Sequence, residues 1–158
     1  MVDVWQPSPT KFGRGPHPAV VMIHGGCWQT AIAERDIMNW IADDLRAHGV
    51  GVWNIEYRGV DRGGGYPATY NDVAAAADLF LTKRGEFGFR TDTPVVTIGH
   101  SAGGHLSLWL ARRSALAKGD EVICAGGLLG KVSKVSDSYV TIEISEHGTT
   151  PIEVVMQK

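Results

Sequence analysis

Hydrophobic residues in the first two thirds of the chain follow two different spacings. Ala19–Ile23 (AVVMI), residues 50–57 (VGVWNIEY) and residues 94–99 (PVVTIG) are nearly continuous apolar runs. Such runs are typical of strands that are buried on both faces of a sheet. Segments with helical spacing follow each of them. The alternation predicts an α/β fold, in which helices cover both faces of a parallel sheet.

Three helices are predicted from apolar residues that recur three or four positions apart. Their apolar faces are Ile37, Trp40, Ile41 and Leu45 in the first, Val73, Ala76, Ala77, Phe80 and Leu81 in the second, and Ala102, Leu106, Trp109 and Leu110 in the third. Gly49 is a suitable stop for the first helix. The opening segment up to residue 18 is rich in Gly and Pro, so we expect at most an edge strand there.

After residue 113 the pattern changes to short strand-like runs. They lie at Glu121–Cys124, Leu128–Val135, residues 139–144 and residues 152–156. Ser136, Asp137 and Ser138 are typical of a hairpin turn between two of them. These runs do not continue an α/β alternation. We therefore expect a boundary near residues 114–118, with a hydrolase-like part at 1–113 and a small β-rich segment at 114–158.

Composition narrows the classes of partner and location. Hydrophobic residues make up 44% and charged residues 20%, with a formal net charge of -2, which fits a globular protein with a buried core. No basic stripe suggests nucleic acid or anionic lipid. The two cysteines form neither a metal motif nor a disulfide framework. With no signal-peptide-like or membrane-spanning apolar run, we expect a cytoplasmic protein.

Residues 99–103 (GHSAG) match the pattern G-x-S-x-G. In this motif a strand turns sharply into a helix so that the serine hydroxyl is exposed, and the flanking glycines remove clashes in the turn. Here a predicted buried strand precedes Ser101 and an amphipathic helix follows it. The alternative is an ordinary strand-to-helix turn.

A second glycine-rich motif, HGGCW at residues 24–28, follows the first strand directly. Glycines at this place let backbone N–H groups approach a developing oxyanion, and the residue after the nucleophile supplies another N–H. Both motifs follow carboxyl ends of strands, where open α/β sheets form their sites. The candidate donors are Gly25, Gly26 and Ala102.

Together, IHGGCW, VWNIEYRG, GGGYPATYNDVAAAADLF and GHSAGGHLSLWLARR resemble the esterase, lipase and arylformamidase branch of the α/β-hydrolases. The resemblance implies that Ser101 is the nucleophile and that small carboxylic esters or amides are the substrates, with no cofactor. It also implies that the first strand lies between the second and the third. Trp28 and Tyr66 are candidate substrate-binding side chains, although such rings more often close a hydrophobic wall.

The acid and the base of a catalytic triad are harder to assign. In the family, Asp or Glu and then His follow the serine, on loops after later strands of the sheet. Too few residues follow Ser101 to form those strands. His24, His100 and His105 belong to the two motifs or the helix, where packing or hydrogen bonding is the more common role. Asp137 and His147 only bracket one hairpin strand. We therefore expect negligible turnover. Arg58, Asp61 and Arg62 are interpreted as solvated loop charges.

The segment LAKGDEVICAGGLLGKVSKVSDSYVTIEIS resembles the soluble β domain of YajC, the small accessory subunit of the bacterial preprotein translocase. The alternative is that residues 121–130 form the next hydrolase strand and its loop. Three hypotheses follow for the whole chain: a serine hydrolase, a non-catalytic interaction module with a YajC-like segment, or an unselected joining of two coding segments.

The predicted third strand raises a structural problem. Val95, Val96 and Ile98 indicate a strand with a neighbour on each side, and an unpaired apolar edge invites aggregation. Self-association through that edge is one remedy. We favour the other, in which Glu121–Cys124 pairs with this strand.

Overall fold

The computed structural model describes residues 1–111, 121–124, 128–136, 139–143 and 153–157. The strands in these ranges are β1 (Val2–Trp5), β2 (Ala19–Ile23), β3 (Gly51–Ile55), β4 (Val96–Gly99), β5 (Glu121–Cys124), β6 (Leu128–Val135), β7 (Tyr139–Glu143) and β8 (Glu153–Gln157). The helices are α1 (Pro9–Phe12), α2 (Asn39–Ala47), α3 (Ala68–Lys83) and α4 (Ala102–Ala111). Short 3-10 helices cover Arg35–Met38 and Val60–Arg62.

The strands form one mixed sheet in the order β1-β3-β2-β4-β5-β6-β7-β8. β2 pairs in parallel with β3 on one side and β4 on the other, so Val21 lies beside both Trp53 and Thr97. This confirms the predicted order of the three strands. β1 pairs antiparallel with β3 and lies at one edge, as expected for the opening segment. The carboxyl ends of β2, β3 and β4 therefore meet at one edge of the sheet.

The C-terminal strands continue this sheet. β5 pairs in parallel with β4, with Thr97 opposite Val122, and β6, β7 and β8 follow in antiparallel order. The predicted pairing of Glu121–Cys124 with the third strand is thus confirmed, and β4 has a neighbour on each side. The expected boundary at 114–118 and turn residues 137 and 138 lie outside the described residues.

Helices pack on both faces of the sheet, which confirms the predicted α/β layering. On one face, α3 and α4 cover β2 and β3 in a core that includes Trp53, Phe80, Phe89, Leu106 and Leu110. On the other face, α2 covers Val20, Met22 and Val52. The Trp53 side chain is fully buried and its indole N–H donates to the Ala76 carbonyl at 3.0 Å, which ties α3 to β3.

The predicted apolar face of the first helix is partly wrong. Trp40 is 73% exposed and Ile37 is 46% exposed, whereas Met38 and Ala42 are buried. The chain enters α2 through the 3-10 helix Arg35–Met38, which has three residues per turn and so shifts the phase of the face that follows. Gly49, at φ +87°, follows the helix as predicted.

The contact between β4 and β5 gives a testable expectation. A chain ending at Arg113 lacks β5, so the N–H and C=O groups along one side of β4 lose their partners. Exposed apolar edges pair with other chains, and we expect the shortened chain to oligomerise or precipitate while the full chain elutes as one species in gel filtration. A shortened chain that stays a well-folded monomer would show that β5 is dispensable.

Candidate active site

Ser101 stands in the turn between β4 and α4, with an exposed side chain and a φ of +52°. Few residues other than glycine adopt positive φ. The turn is also tight, because a Cβ on Gly99 would overlap the Gly103 carbonyl and a Cβ on Gly103 would overlap the Ile23 carbonyl. The glycines of the G-x-S-x-G pattern thus let the α4 backbone rest directly on β2.

The loop after β2 lies against this turn. A Cβ on Gly25 would be 3.1 Å from the Ser101 Cβ and 2.8 Å from the His100 carbonyl oxygen, so Gly25 borders the serine directly. Gly26, Cys27 and Trp28 follow with φ values of +108°, +49° and +58°. Three successive left-handed residues coil the loop tightly. Sequence reasoning missed this conformation at Cys27 and Trp28, since neither residue type favours it.

The backbone donors beside Ser101 are available. In the described part of the chain, the N–H groups of Gly25, Gly26 and Ala102 have no hydrogen-bond partner. Ala102 is the first residue of α4, where an N–H has no acceptor within its own helix. The structure therefore brings together Ser101 and the three residues whose N–H groups the sequence singled out.

His24 is buried and committed to other groups. It is 2% exposed, and its Nε2 lies 2.7 Å from Glu56 Oε1 while its Nδ1 lies 2.7 Å from the Gly25 carbonyl oxygen. The ring stacks on Tyr57 at 4.2 Å between centroids. With both ring nitrogens occupied, His24 has no lone pair to offer Ser101.

Glu56 was missed by the sequence analysis. Burial raises its pKa, but hydrogen bonds from His24 and from the backbone N–H groups of Arg35 and Tyr57 outweigh burial and lower the pKa to about 2. Glu56 is therefore a carboxylate at any physiological pH. Its position was a usable signal, since Ile23 pairs with Ile55 and the next residues, His24 and Glu56, leave the sheet side by side.

The other histidines that the structure describes do not supply a base for the nucleophile. Within the described ranges, no imidazole is hydrogen-bonded to the Ser101 hydroxyl, and both His100 and His105 are exposed. Asp137 and His147 lie outside the described residues. The same ranges contain no cluster of three or more His, Cys, Asp or Glu placed to hold a metal ion. None of the helices described has the length and hydrophobicity needed to cross a membrane.

Trp28 and Tyr66 belong to a row of rings near Ser101. His105 packs edge-to-face against Trp28 at 5.7 Å and against Tyr70 at 6.1 Å. Tyr66 packs on Tyr70 at 5.6 Å and is 87% exposed. The backbone N–H of His105 donates to the Ser101 carbonyl at 3.2 Å, which connects the row to the nucleophile turn. Tyr70, which joins the two predicted side chains, was missed.

Asp61 and Arg58 are exposed, as expected for loop charges, and each also makes specific bonds. Asp61 accepts the backbone N–H groups of Ala31 and Thr30, each at 2.9 Å, and these two bonds lower its pKa. Arg58 forms a two-pronged pair with Asp72 at 2.7 and 2.8 Å. Asp61 thereby ties down the far end of the loop that follows β2.

Solved structures show the same fold. An esterase from the Planctomycetes species Thermogutta terrifontis, Est2, aligns with a TM-score of 0.57 and 22% identity over 66% of this chain and 36% of its own. A bacterial heroin esterase aligns with a TM-score of 0.54 and 29% identity over 62% of this chain and 31% of its own. The Francisella virulence factor BioJ aligns with a TM-score of 0.63 and 22% identity over 77% of this chain and 38% of its own. The chain spans about a third of the length of these proteins.

A curated protein matches a shorter stretch. The Sec translocon accessory complex subunit YajC of Haemophilus influenzae is 46% identical over 41 residues, which is 26% of this chain and 42% of that protein. The chain thus covers less than half of YajC. This match agrees with the YajC resemblance seen in the sequence.

A family model covers almost the whole chain. The BD-FAE model matches residues 2–151, and with the esterase structures it supports the α/β-hydrolase resemblance of the two glycine motifs. The match continues past residue 114, where the sequence suggested a boundary. The chain is a hydrolase relative with an esterase-like fold, and it belongs to the BD-FAE family.

Proposed function

We propose that Ser101 is a nucleophile that accepts the acyl group of small carboxylic esters or amides. The supporting observation is an exposed serine at positive φ beside Gly25, Gly26 and Ala102, whose backbone N–H groups have no partner among the described residues. In this reaction the serine Oγ bonds to the acyl carbon and its proton passes to solvent. The carbonyl oxygen becomes an oxyanion, and the bond to the leaving group then breaks as that group takes up a proton.

The N–H groups and the amino end of α4 supply the stabilisation. Donors that are preorganised toward a developing oxyanion usually contribute the largest single term in acyl transfer, and a helix N-terminus favours negative charge. Trp28 and Tyr66, joined through Tyr70 and His105, would form an apolar wall for the substrate. Est2 was solved with propionate and with butyrate bound, so we take short acyl chains as the first substrates for this chain.

The proposed reaction is slow. With no imidazole on the Ser101 hydroxyl in the described residues, the serine stays protonated and is a weak nucleophile. An oxyanion hole without a full triad still accelerates a reaction, but by orders of magnitude less than the complete machinery. Acylation by activated esters is therefore the expected chemistry, and turnover is negligible.

Reaction with p-nitrophenyl acetate tests this proposal. Mass spectrometry of the intact protein and its peptides should find an acetyl group on Ser101, with no sustained release of nitrophenol. Ser101→Ala should remove the adduct and leave the fold unchanged by circular dichroism. An adduct that persists in Ser101→Ala, or the absence of an adduct in the wild type, would contradict the proposal. Sustained turnover by the wild type that Ser101→Ala abolishes would instead show that a catalytic base is present.

Gly25→Ala tests the oxyanion donors. The new Cβ would lie 2.7 Å from His100 Nδ1 and 3.1 Å from the Ser101 Cβ, so the loop must move away from the serine. We expect acylation to slow by about 10²- to 10³-fold, the usual cost of losing one oxyanion donor. Gly85→Ala is the matched control, because its Cβ would meet only the Thr91 methyl at 3.3 Å. Equal acylation rates in the two variants would exclude Gly25 from the site.

A second candidate function is that of a non-catalytic interaction module, in which residues 114–158 act as a YajC-like translocase-accessory segment. The identity to YajC over 41 residues favours it. Binding to purified bacterial translocase should then be equal in the wild type and in Ser101→Ala; absence of binding would remove this candidate.

The cytoplasm is the location we propose. Self-association is proposed at the edge strands β1 or β8, since β4 is paired on both sides.

A further inference from the structure

Four charged or ionisable side chains form a continuous hydrogen-bonded network from the edge of the sheet to the loop beside Ser101. Asp3 on β1 accepts from Arg35 Nε at 2.6 Å, and Arg35 Nη1 lies 3.3 Å from Glu56 Oε2. Glu56 Oε1 in turn lies 2.7 Å from His24 Nε2. Each of these residues comes from a different segment of the chain, so the network assembles only when the fold does.

The far end of this network is a backbone carbonyl. His24 Nδ1 lies 2.7 Å from the Gly25 carbonyl oxygen. The single proton of the Tyr57 hydroxyl is shared between the His24 carbonyl at 2.9 Å and the Gly25 carbonyl at 3.3 Å. A carbonyl oxygen and a carboxylate both only accept hydrogen bonds, so His24 needs a proton on each ring nitrogen to make both of its bonds. The ring therefore lies between two acceptors, the Glu56 carboxylate at Nε2 and the Gly25 carbonyl at Nδ1.

The orientation of one peptide group follows. In a trans peptide the C=O and the next N–H point in opposite directions. Since the Gly25 oxygen faces the His24 ring and the Tyr57 hydroxyl, the Gly26 N–H points away from both. That N–H has no partner among the described residues, and its peptide borders Ser101 through Gly25.

We propose that Glu56 is a positioning residue: by accepting from Nε2 it holds the His24 ring with Nδ1 on the Gly25 carbonyl, and so keeps the Gly25–Gly26 peptide with its N–H available to an oxyanion on Ser101. The catalytic part of this inference rests on the proposed acyl transfer. Glu56 is itself rigidly placed, because its two oxygens accept from four donors, His24, the Arg35 backbone and side chain, and the Tyr57 backbone. Glu56 touches neither Ser101 nor the substrate.

Glu56→Gln tests this role with little change in shape. A glutamine offers one oxygen and one NH2 group in place of the two oxygens of Glu56. If its oxygen faces His24, a neutral ring that donates from Nε2 gives up the bond from Nδ1 to the Gly25 carbonyl. If its NH2 group faces His24, it also faces the Tyr57 backbone N–H, and that bond is lost. Asp72→Asn is the matched control, since it removes an ion pair with Arg58 but does not contact His24. The readouts are the imidazole N–H signals of His24 and the Gly26 amide signal in NMR spectra, and the rate of Ser101 acetylation.

The wild type and Asp72→Asn should show two slowly exchanging His24 N–H protons, because the ring is buried and both are bonded. Glu56→Gln should lose one of the two ring protons, shift the Gly26 amide and acetylate Ser101 at least about tenfold more slowly, by analogy with losing an oxyanion donor. A single His24 N–H in the wild type overturns the proposal. So does Glu56→Gln with both protons retained, or with an acetylation rate like that of Asp72→Asn.

The NMR readout separates this inference from the proposed function. If wild-type Ser101 is not acetylated, the proposed acyl transfer fails, and the His24 and Gly26 signals alone decide whether Glu56 positions the loop. If Glu56→Gln does not fold, Tyr57→Phe replaces it. That variant removes the hydroxyl that the His24 and Gly25 carbonyls share, and should shift the Gly26 amide and slow acetylation while both His24 N–H protons remain. Behaviour identical to Asp72→Asn would overturn the proposal.

Discussion

The parallel pairing of β2 with β3 and β4 is the constraint on which the candidate site depends. Ile23 lies beside both Ile55 and Gly99, so the three strands end at the same level of the sheet. The residues that follow, His24, Glu56 and His100, are forced together although they are far apart in sequence. Ser101 and the loop after β2 then face each other, because Gly99 and Gly103 let the α4 backbone lie directly on β2.

The buried ionisable groups at this edge favour a single loop geometry, because each of them needs its partner. A buried polar or charged group without a partner is costly, and it is tolerated when it is paired and hydrogen-bonded. His24 and Glu56 meet that condition through their bond to each other and through bonds to the Gly25 carbonyl and to Arg35. A different loop conformation would leave one of these groups buried without its partner. The left-handed backbone at Cys27 and Trp28 is therefore held by bonds on the β2 side and by Asp61 on the far side.

Much of this fold could be predicted from the sequence, since strands buried on both faces need continuous apolar runs and the helices need a period near 3.6. The G-x-S-x-G and HGGCW motifs located Ser101 and its neighbours because only glycine permits such close backbone contact. Trp40 was misplaced because a 3-10 helix shifts the phase before α2. Glu56 and Tyr70 were missed because their roles arise from neighbours distant in the chain, which no local pattern records. Glu56 could have been inferred once the order of β2 and β3 was predicted.

A crystal structure of the chain with a short-chain alkylboronic acid would show whether Ser101 and the three backbone donors act on the same group. A boronic acid adds to an active serine and becomes tetrahedral, so it mimics the acyl-transfer intermediate without needing a leaving group. We expect a bond from boron to Ser101 Oγ, with one boronate oxygen within hydrogen-bonding distance of the N–H groups of Gly25, Gly26 and Ala102. A boronic acid that binds elsewhere, or a Ser101 adduct whose oxygens all point away from these donors, would contradict it.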